Sequence, residues 1–413
     1  MRRRLRRATA SLLLLAFLAL GPSASLAAPR VQFQDLGAAV AFPERIVFTL
    51  VAEAAQPIER VELRYRPVDG QVTFVARPPV EPGTTVRLRY ARDMRVNYLP
   101  PFIDLAYRWR LVLADGSIVE SPEQQLAYRD TRYRWVERNR GPVQLFSTVT
   151  DPEYIETALA VSERAIVLFG QRFGVALAGP VRIVLYPSPE ALRTALPLQS
   201  EEWIGGVAIP KYRLVLGGVA AGPGMEEELA RLLSHEVLHL VIAQATENPF
   251  GTPPAWLDEG LATLYQEVAE PWLDTALERA RRSGTLPSLR ALRASFGTDP
   301  EAALLGYAAS RSIVEYLVTA YGEEGIARLL AAYREGVSDD EALAESLGID
   351  VDQLDRAWRA WLAQRAIRPA EPRAANPLLP VSAAGSVAGI VLVRRACRTR
   401  CRSRPPRPTA PQY

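Results

Sequence analysis

The chain of 413 residues reads as an α+β protein. An N-terminal β-sandwich of immunoglobulin or fibronectin III type is followed by a domain with a small sheet and a mostly helical C-terminal half. Three observations predict this. From Val31 to Tyr128 apolar residues recur with a period of two, between Pro- and Gly-rich breaks. Beyond Asp151 most apolar spacing is that of amphipathic helices, with a few short β-type runs among them. Both histidines of the chain lie in Ser234-His235-Glu236-Val237-Leu238-His239, inside a run apolar enough to be a buried helix.

The first residues read as an export signal. Arg2, Arg3, Arg4, Arg6 and Arg7 precede the apolar run Leu12 to Leu20, and Ser25 and Ala27 suit cleavage after Ala27. Residues 1–27 are therefore assigned to a signal peptide of an exported protein. Cys397 and Cys401 lie at the extreme end of the chain, so no disulfide framework holds the fold and its core must. The net charge is +3, and arginine is interleaved with Asp and Glu, Lys211 being the only lysine. No basic stripe emerges, and a nucleic-acid partner is not expected.

Residues 28–135 carry the strand pattern. Ile46, Phe48 and Leu50 alternate with other residues, as do Val61, Leu63 and Tyr65, then Val86, Leu88 and Tyr90. Tyr107, Trp109, Leu111 and Leu113 follow, and Asp115-Gly116 supplies a hairpin turn. About 100 residues of such strands suggest a sandwich. It holds no catalytic constellation and reads as an accessory module for spacing or binding. Tyr128 to Gly141 reads as its link to a second domain, residues 141–365.

That domain opens with a strand (Val143 to Phe146) and a helix from Asp151-Pro152 to Gly174. A strand through Val181, Ile183 and Leu185 comes next, then a hairpin of Val207-Ala208 with Leu214 to Leu216. Pro223 and Gly224 break the chain, and Glu226, Glu227 and Glu228 fill the first turn of the helix that carries the histidines. On a helix, positions i and i+4 share a face, so His235 and His239 can reach one ion. In H-E-x-x-H zinc hydrolases the glutamate, here Glu236, is the general base toward water at the metal. A zinc site needs at least three protein ligands. No other histidine exists and the cysteines are remote, so the third must be Asp or Glu. The best carboxylates lie in Pro254-Ala255-Trp256-Leu257-Asp258-Glu259-Gly260-Leu261-Ala262, where proline marks a helix start.

His-Glu-x-x-His followed by Trp-Leu-x-Glu-Gly-x-Ala resembles the signature of gluzincin zinc metallopeptidases. It looks most like the peptidase MA-like domain, and more distantly like the aminopeptidase N family. The resemblance covers roughly Gly141 to Ala363. It implies a thermolysin-like gluzincin domain, a zinc ion, and Glu259 as third ligand with Asp258 its neighbour. It also implies that Gly205, Gly206, Val207 and Ala208 form the edge strand along the substrate cleft, and that a downstream helical tyrosine, Tyr307, stabilises the oxyanion. Arg311, one turn on, could share that face and is, with Gly205 to Ala208, a candidate substrate contact. Asp258 is a candidate to orient a histidine from outside the metal sphere. Gly224-Met225-Glu226-Glu227 resembles the aminopeptidase motif for a free amino terminus, but it abuts the metal helix. That misplacement favours an endopeptidase over an aminopeptidase.

Beyond Glu259 the expected helices are Trp272 to Arg282, Pro300 to Tyr321, Gly325 to Arg334 and Asp352 to Leu362. A capping box of Ser338 with Glu341 starts one more. Residues 366–380 form a Pro-rich linker. Residues 378–393 are a candidate C-terminal membrane anchor, shorter than the ~20 residues a spanning helix wants, with a disordered tail as the alternative. Residues 394–413 form a basic tail on its cytoplasmic side. The expected partner is a peptide or protein substrate, with membrane association through the C-terminal segment. Two other readings remain: a zinc hydrolase of a non-peptide substrate, and a non-catalytic cell-envelope binding protein.

Overall fold

The computed structural model describes residues 31–197, 205–294, 296–297 and 299–365. The segments assigned to a signal peptide, a Pro-rich linker, a membrane anchor and a basic tail lie outside the described residues. Among those described, no helix is long and apolar enough to cross a membrane.

Eight strands form the first sheet: β1 (Val31–Asp35), β2 (Ala38–Ala41), β3 (Arg45–Pro67), β4 (Phe74–Ala76), β5 (Gly83–Asp93), β6 (Ile103–Leu113), β7 (Ile118–Glu120) and β8 (Gln124–Tyr128). All pairings are antiparallel. The 23-residue β3 belongs to both halves of the sheet. Its first part pairs with β1, β2 and β5, and its second part with β4 and β6. Register shifts flank Ile58, and there the strand doubles back. Phe48 from the first part stacks on Tyr65 from the second with ring centroids 5.6 Å apart. On a straight strand these residues would be roughly 55 Å apart at about 3.3 Å per residue. The period-two residues Ile46, Phe48, Leu50, Leu63, Trp109 and Leu111 are fully buried.

A second sheet has the order β12-β13-β11-β10-β9. It comprises β9 (Val136–Arg140), β10 (Val143–Ser147), β11 (Val181–Tyr186), β12 (Gly206–Ile209) and β13 (Leu214–Gly218), with the short helix α2 (Pro189–Arg193) between β11 and β12. β10, β11 and β13 are parallel, and the edge strands β9 and β12 run antiparallel to their neighbours. Helix α1 (Pro152–Phe173) makes the crossover from β10 to β11. Asp151 caps its N-terminus and Gly174, at φ 65°, ends it.

Both faces of this sheet are covered, which explains why its strands read as continuous apolar runs. Val143, Leu145, Val181, Ile183, Leu185 and Val215 face the helices. Phe146, Val184, Tyr186, Leu214 and Leu216 pack into the core of the first sheet. The stretch Tyr128 to Gly141, expected as a link, runs through that contact and supplies β9. Fully buried Asp130 pairs with Arg132 at 2.6 Å and accepts a hydrogen bond from Tyr186. Trp135 stands edge-on to Phe102 and Tyr186.

The other described residues are mostly helical: α3 (Met225–Ala245), α4 (Ala255–Tyr265), α5 (Pro271–Ser283), α6 (Pro300–Arg334), α7 (Asp339–Leu347) and α8 (Val351–Gln364). The two helices expected over 300–334 are joined at a kink in α6 at Gly322, whose φ of 70° and ψ of 176° no helix accommodates. Ser338 and Glu341 form the expected capping box of α7.

Candidate metal centre

Helix α3 lies under the second sheet with Leu229, Leu232, Leu233, Val237, Leu238, Leu240 and Val241 all buried. So thoroughly apolar a helix has no solvent face for His235, Glu236 and His239, which are 7%, 2% and 2% exposed. Such polar groups are costly to bury unless they find partners. Helix α4 starts behind Pro254, buries Trp256, Leu257 and Leu261, and carries Glu259 at 2% exposure. Gly260 permits the next contact: a Cβ there would lie 2.5 Å from the Ser310 carbonyl of α6.

These two helices bring three ligand atoms together. Glu259 Oε2 is 3.5 Å from His235 Nε2 and 3.6 Å from His239 Nε2. The three residues form a group whose ligand atoms all lie within 4.8 Å of one another. His239 Nε2 and Glu259 Oε2 are buried without a hydrogen bond, an arrangement that a cation between them relieves. Two nitrogens and one carboxylate oxygen suit zinc with a position left for water.

Outside this triad each imidazole is oriented through Nδ1. His239 Nδ1 donates to Asp258 Oδ1 at 2.9 Å. His235 Nδ1 lies 2.9 Å from Gln266 Oε1. The Gln266 amide nitrogen donates to the Val268 carbonyl at 2.8 Å, so its oxygen must face the ring and His235 carries its proton on Nδ1. In both histidines the Nε2 lone pair is thereby directed at the shared ligand point. Asp258 was readable as a candidate for this role; Gln266 was missed. Only its position one residue past the end of a helix pointed to it, and that is no sequence signal.

The charges follow. Burial, reinforced by His239, lowers His235 to a pKa of about 4. Burial opposes charge on His239 too, but Asp258 and Glu259 outweigh it and raise its pKa. Burial also raises Glu259. These shifts favour a proton on His239 in the absence of a cation.

Glu236 packs against the edge strand: a Cβ on Gly206 would lie 2.8 Å from its Oε1. Gly206, Val207 and Ala208 form β12 together with Ile209, and Gly205 directly precedes it. Of the residues expected to line the substrate, Gly206 therefore borders Glu236. Tyr307 is buried on α6 with its ring edge-on to Phe296 at 5.2 Å. Arg311 is engaged elsewhere, paired with Asp274 of α5 at 3.2 Å.

Fold and site together present a candidate metal centre of the His-His-Glu kind. Residues 161–364 match the family model described as Peptidase MA superfamily. No curated protein matches the chain. Among solved structures, the M1 zinc metallopeptidase of Deinococcus radiodurans is 15% identical over 80% of this chain and 92% of that one, with a TM-score of 0.33. OgpA of Akkermansia muciniphila, crystallised as an inactive form with an O-glycopeptide, is 14% identical over 25% of this chain, with a TM-score of 0.20. The match spans 31% of the OgpA chain. Likenesses this remote carry no argument about activity.

Proposed function

We propose that the protein is an exported, zinc-dependent peptidase that cleaves within peptide chains. The observation that carries this reading is the convergence of His235, His239 and Glu259 on one buried point, with Glu236 beside it on the edge-strand side. A zinc ion held by those three residues supplies Lewis-acid activation of water and of the scissile carbonyl. Glu236 accepts the proton of the attacking water and delivers it to the leaving amine. An extended substrate pairs its backbone with β12, whose outer edge has no strand partner among the described residues. Tyr307 is assigned to the developing oxyanion. The β region acts as an accessory module of the immunoglobulin or fibronectin kind that also covers the back of the catalytic sheet. Export through residues 1–27 and anchoring through 378–393 complete the reading.

The test is cleavage of a peptide library by the zinc-loaded secreted form, beside Glu236→Gln. The variant should keep its zinc and lose at least about a hundredfold in turnover, the scale of a lost general base. A fully metallated wild type that cleaves no peptide ends the proposal.

A further inference from the structure

The segment Gln266–Glu270, which joins α4 to α5, crosses the metal-binding helix and is tied to it repeatedly. Gln266 holds His235, the Glu267 amide donates to Ser234 Oγ at 2.9 Å, and the Glu267 carboxylate takes both arms of Arg164 from α1. Glu270, at the end of the segment, is different. Its side chain is 8% exposed, and its Oε1 is buried with no hydrogen-bond partner. The nearest cation is Arg231, one turn before His235 on α3. Arg231 commits Nε and Nη2 to Glu228 at 3.1 and 2.6 Å. Its Nη1 stands 3.7 Å from Glu270 Oε1, too far for a hydrogen bond.

Arg231 and Glu270 thus stand as a buried ion pair with no hydrogen bond between them. The place is significant: Arg231 Nη2 lies 3.9 Å from where a Cβ on Gly205 would be, at the start of the edge strand. A cationic ligand for Glu270 would meet the guanidinium, and an anionic ligand for Arg231 would meet Glu228 and Glu270. A neutral group offering one acceptor and one donor on the same side satisfies both. An extended peptide residue is such a group, because its own N–H and C=O point to one side of the strand.

We propose that Arg231 and Glu270 form a subsite for one backbone residue of an extended peptide, whose C=O accepts from Arg231 and whose N–H donates to Glu270. The subsite rests on the peptidase reading above and deepens it. It makes recognition depend on chain extending past the scissile bond, whatever the side chains.

The test combines a substrate scan with variants. In a peptide that the wild type cleaves, each backbone N–H in turn is replaced by an ester oxygen, and kcat/KM is measured with wild type, Glu270→Ala and the near-isosteric Glu270→Gln. Loss of a hydrogen bond to a charged group predicts a drop of about 10–100-fold for Glu270→Ala on the all-amide peptide, expressed mainly in KM. Gln, which keeps an acceptor oxygen, should restore part of it. At one ester position the wild type should suffer the same loss and Glu270→Ala no further loss. Losses that multiply at every position overturn the subsite alone, as does loss of zinc from both variants. A wild type that cleaves no peptide removes the peptidase reading as well.

Discussion

Replacing Gln266 by alanine isolates a residue that touches no substrate and yet governs the metal. The His235 Nδ1–H now donates to the Gln266 oxygen at 2.9 Å, in a place where the ring is 7% exposed and Gln266 equally so. Without that acceptor the N–H is stranded, at a cost of about 1–3 kcal/mol. The ring can escape only by moving the proton to Nε2, where it blocks coordination, or by rotating away from Glu259. Either way the cost falls on metal binding. At about 1.4 kcal/mol per tenfold, zinc should bind roughly 5–150-fold more weakly, a range that includes the ~10–100-fold usual for partners of metal-bound histidines. Competition with a chromophoric chelator at fixed pH measures the change, and Gln266→Glu, which keeps an acceptor oxygen, should recover most of it. Affinity within about twofold of wild type in Gln266→Ala would refute the tautomer argument, since it would be far below the expected cost.

Three further outcomes follow from the same geometry. Because Asp258 and Glu259, against burial, lift His239 to a pKa of about 10, the metal-free site holds a proton at pH 8 that zinc must displace. Calorimetry in buffers of different ionisation enthalpy should show at least about one proton released, and no release would contradict it. For the metal-free fold this raised pKa adds stability that is fully present below the unfolded histidine value near 6.5 and lost as pH rises through about 10. Gly260→Ala places a methyl group 2.5 Å from the Ser310 carbonyl and 2.6 Å from Val314. Overpacking of this kind costs about 1–3 kcal/mol, and a shifted α4 carries Glu259 with it, so thermal unfolding and zinc content should both fall. Leu216→Ala, at a fully buried position facing the first sheet, should cost about 2–5 kcal/mol. A denaturant midpoint close to wild type would mean that the β region does not share a core with the catalytic sheet.

The helices were largely readable because their signals are local. Pro152, Pro254 and Pro300 begin α1, α4 and α6, and Gly174 and Gly322 mark a stop and a kink. The sheet was less readable. Strands covered on both faces lose the alternation that distinguishes in from out, so neither the parallel pairing of β10, β11 and β13 nor the place of β9 showed in the pattern. The doubling back of β3 was hidden for a related reason. Its two halves keep the same period, and the register shifts at Ile58 and the stacking of Phe48 on Tyr65 reveal the bend.

The chain by itself pointed to a candidate metal site. Two histidines one helical turn apart, with a glutamate between them and no third histidine anywhere, leave few alternatives, because i and i+4 on a helix must face the same way. The motif resemblance names Glu259 as third ligand and Asp258 as a histidine partner; that Gln266 holds the other ring, and what lies across from Arg231, were decided in three dimensions. Glu259, Gln266 and Glu270 reach the metal helix only because α4 and the turn after it pack across α3. No residue spacing encodes a contact made between separate elements.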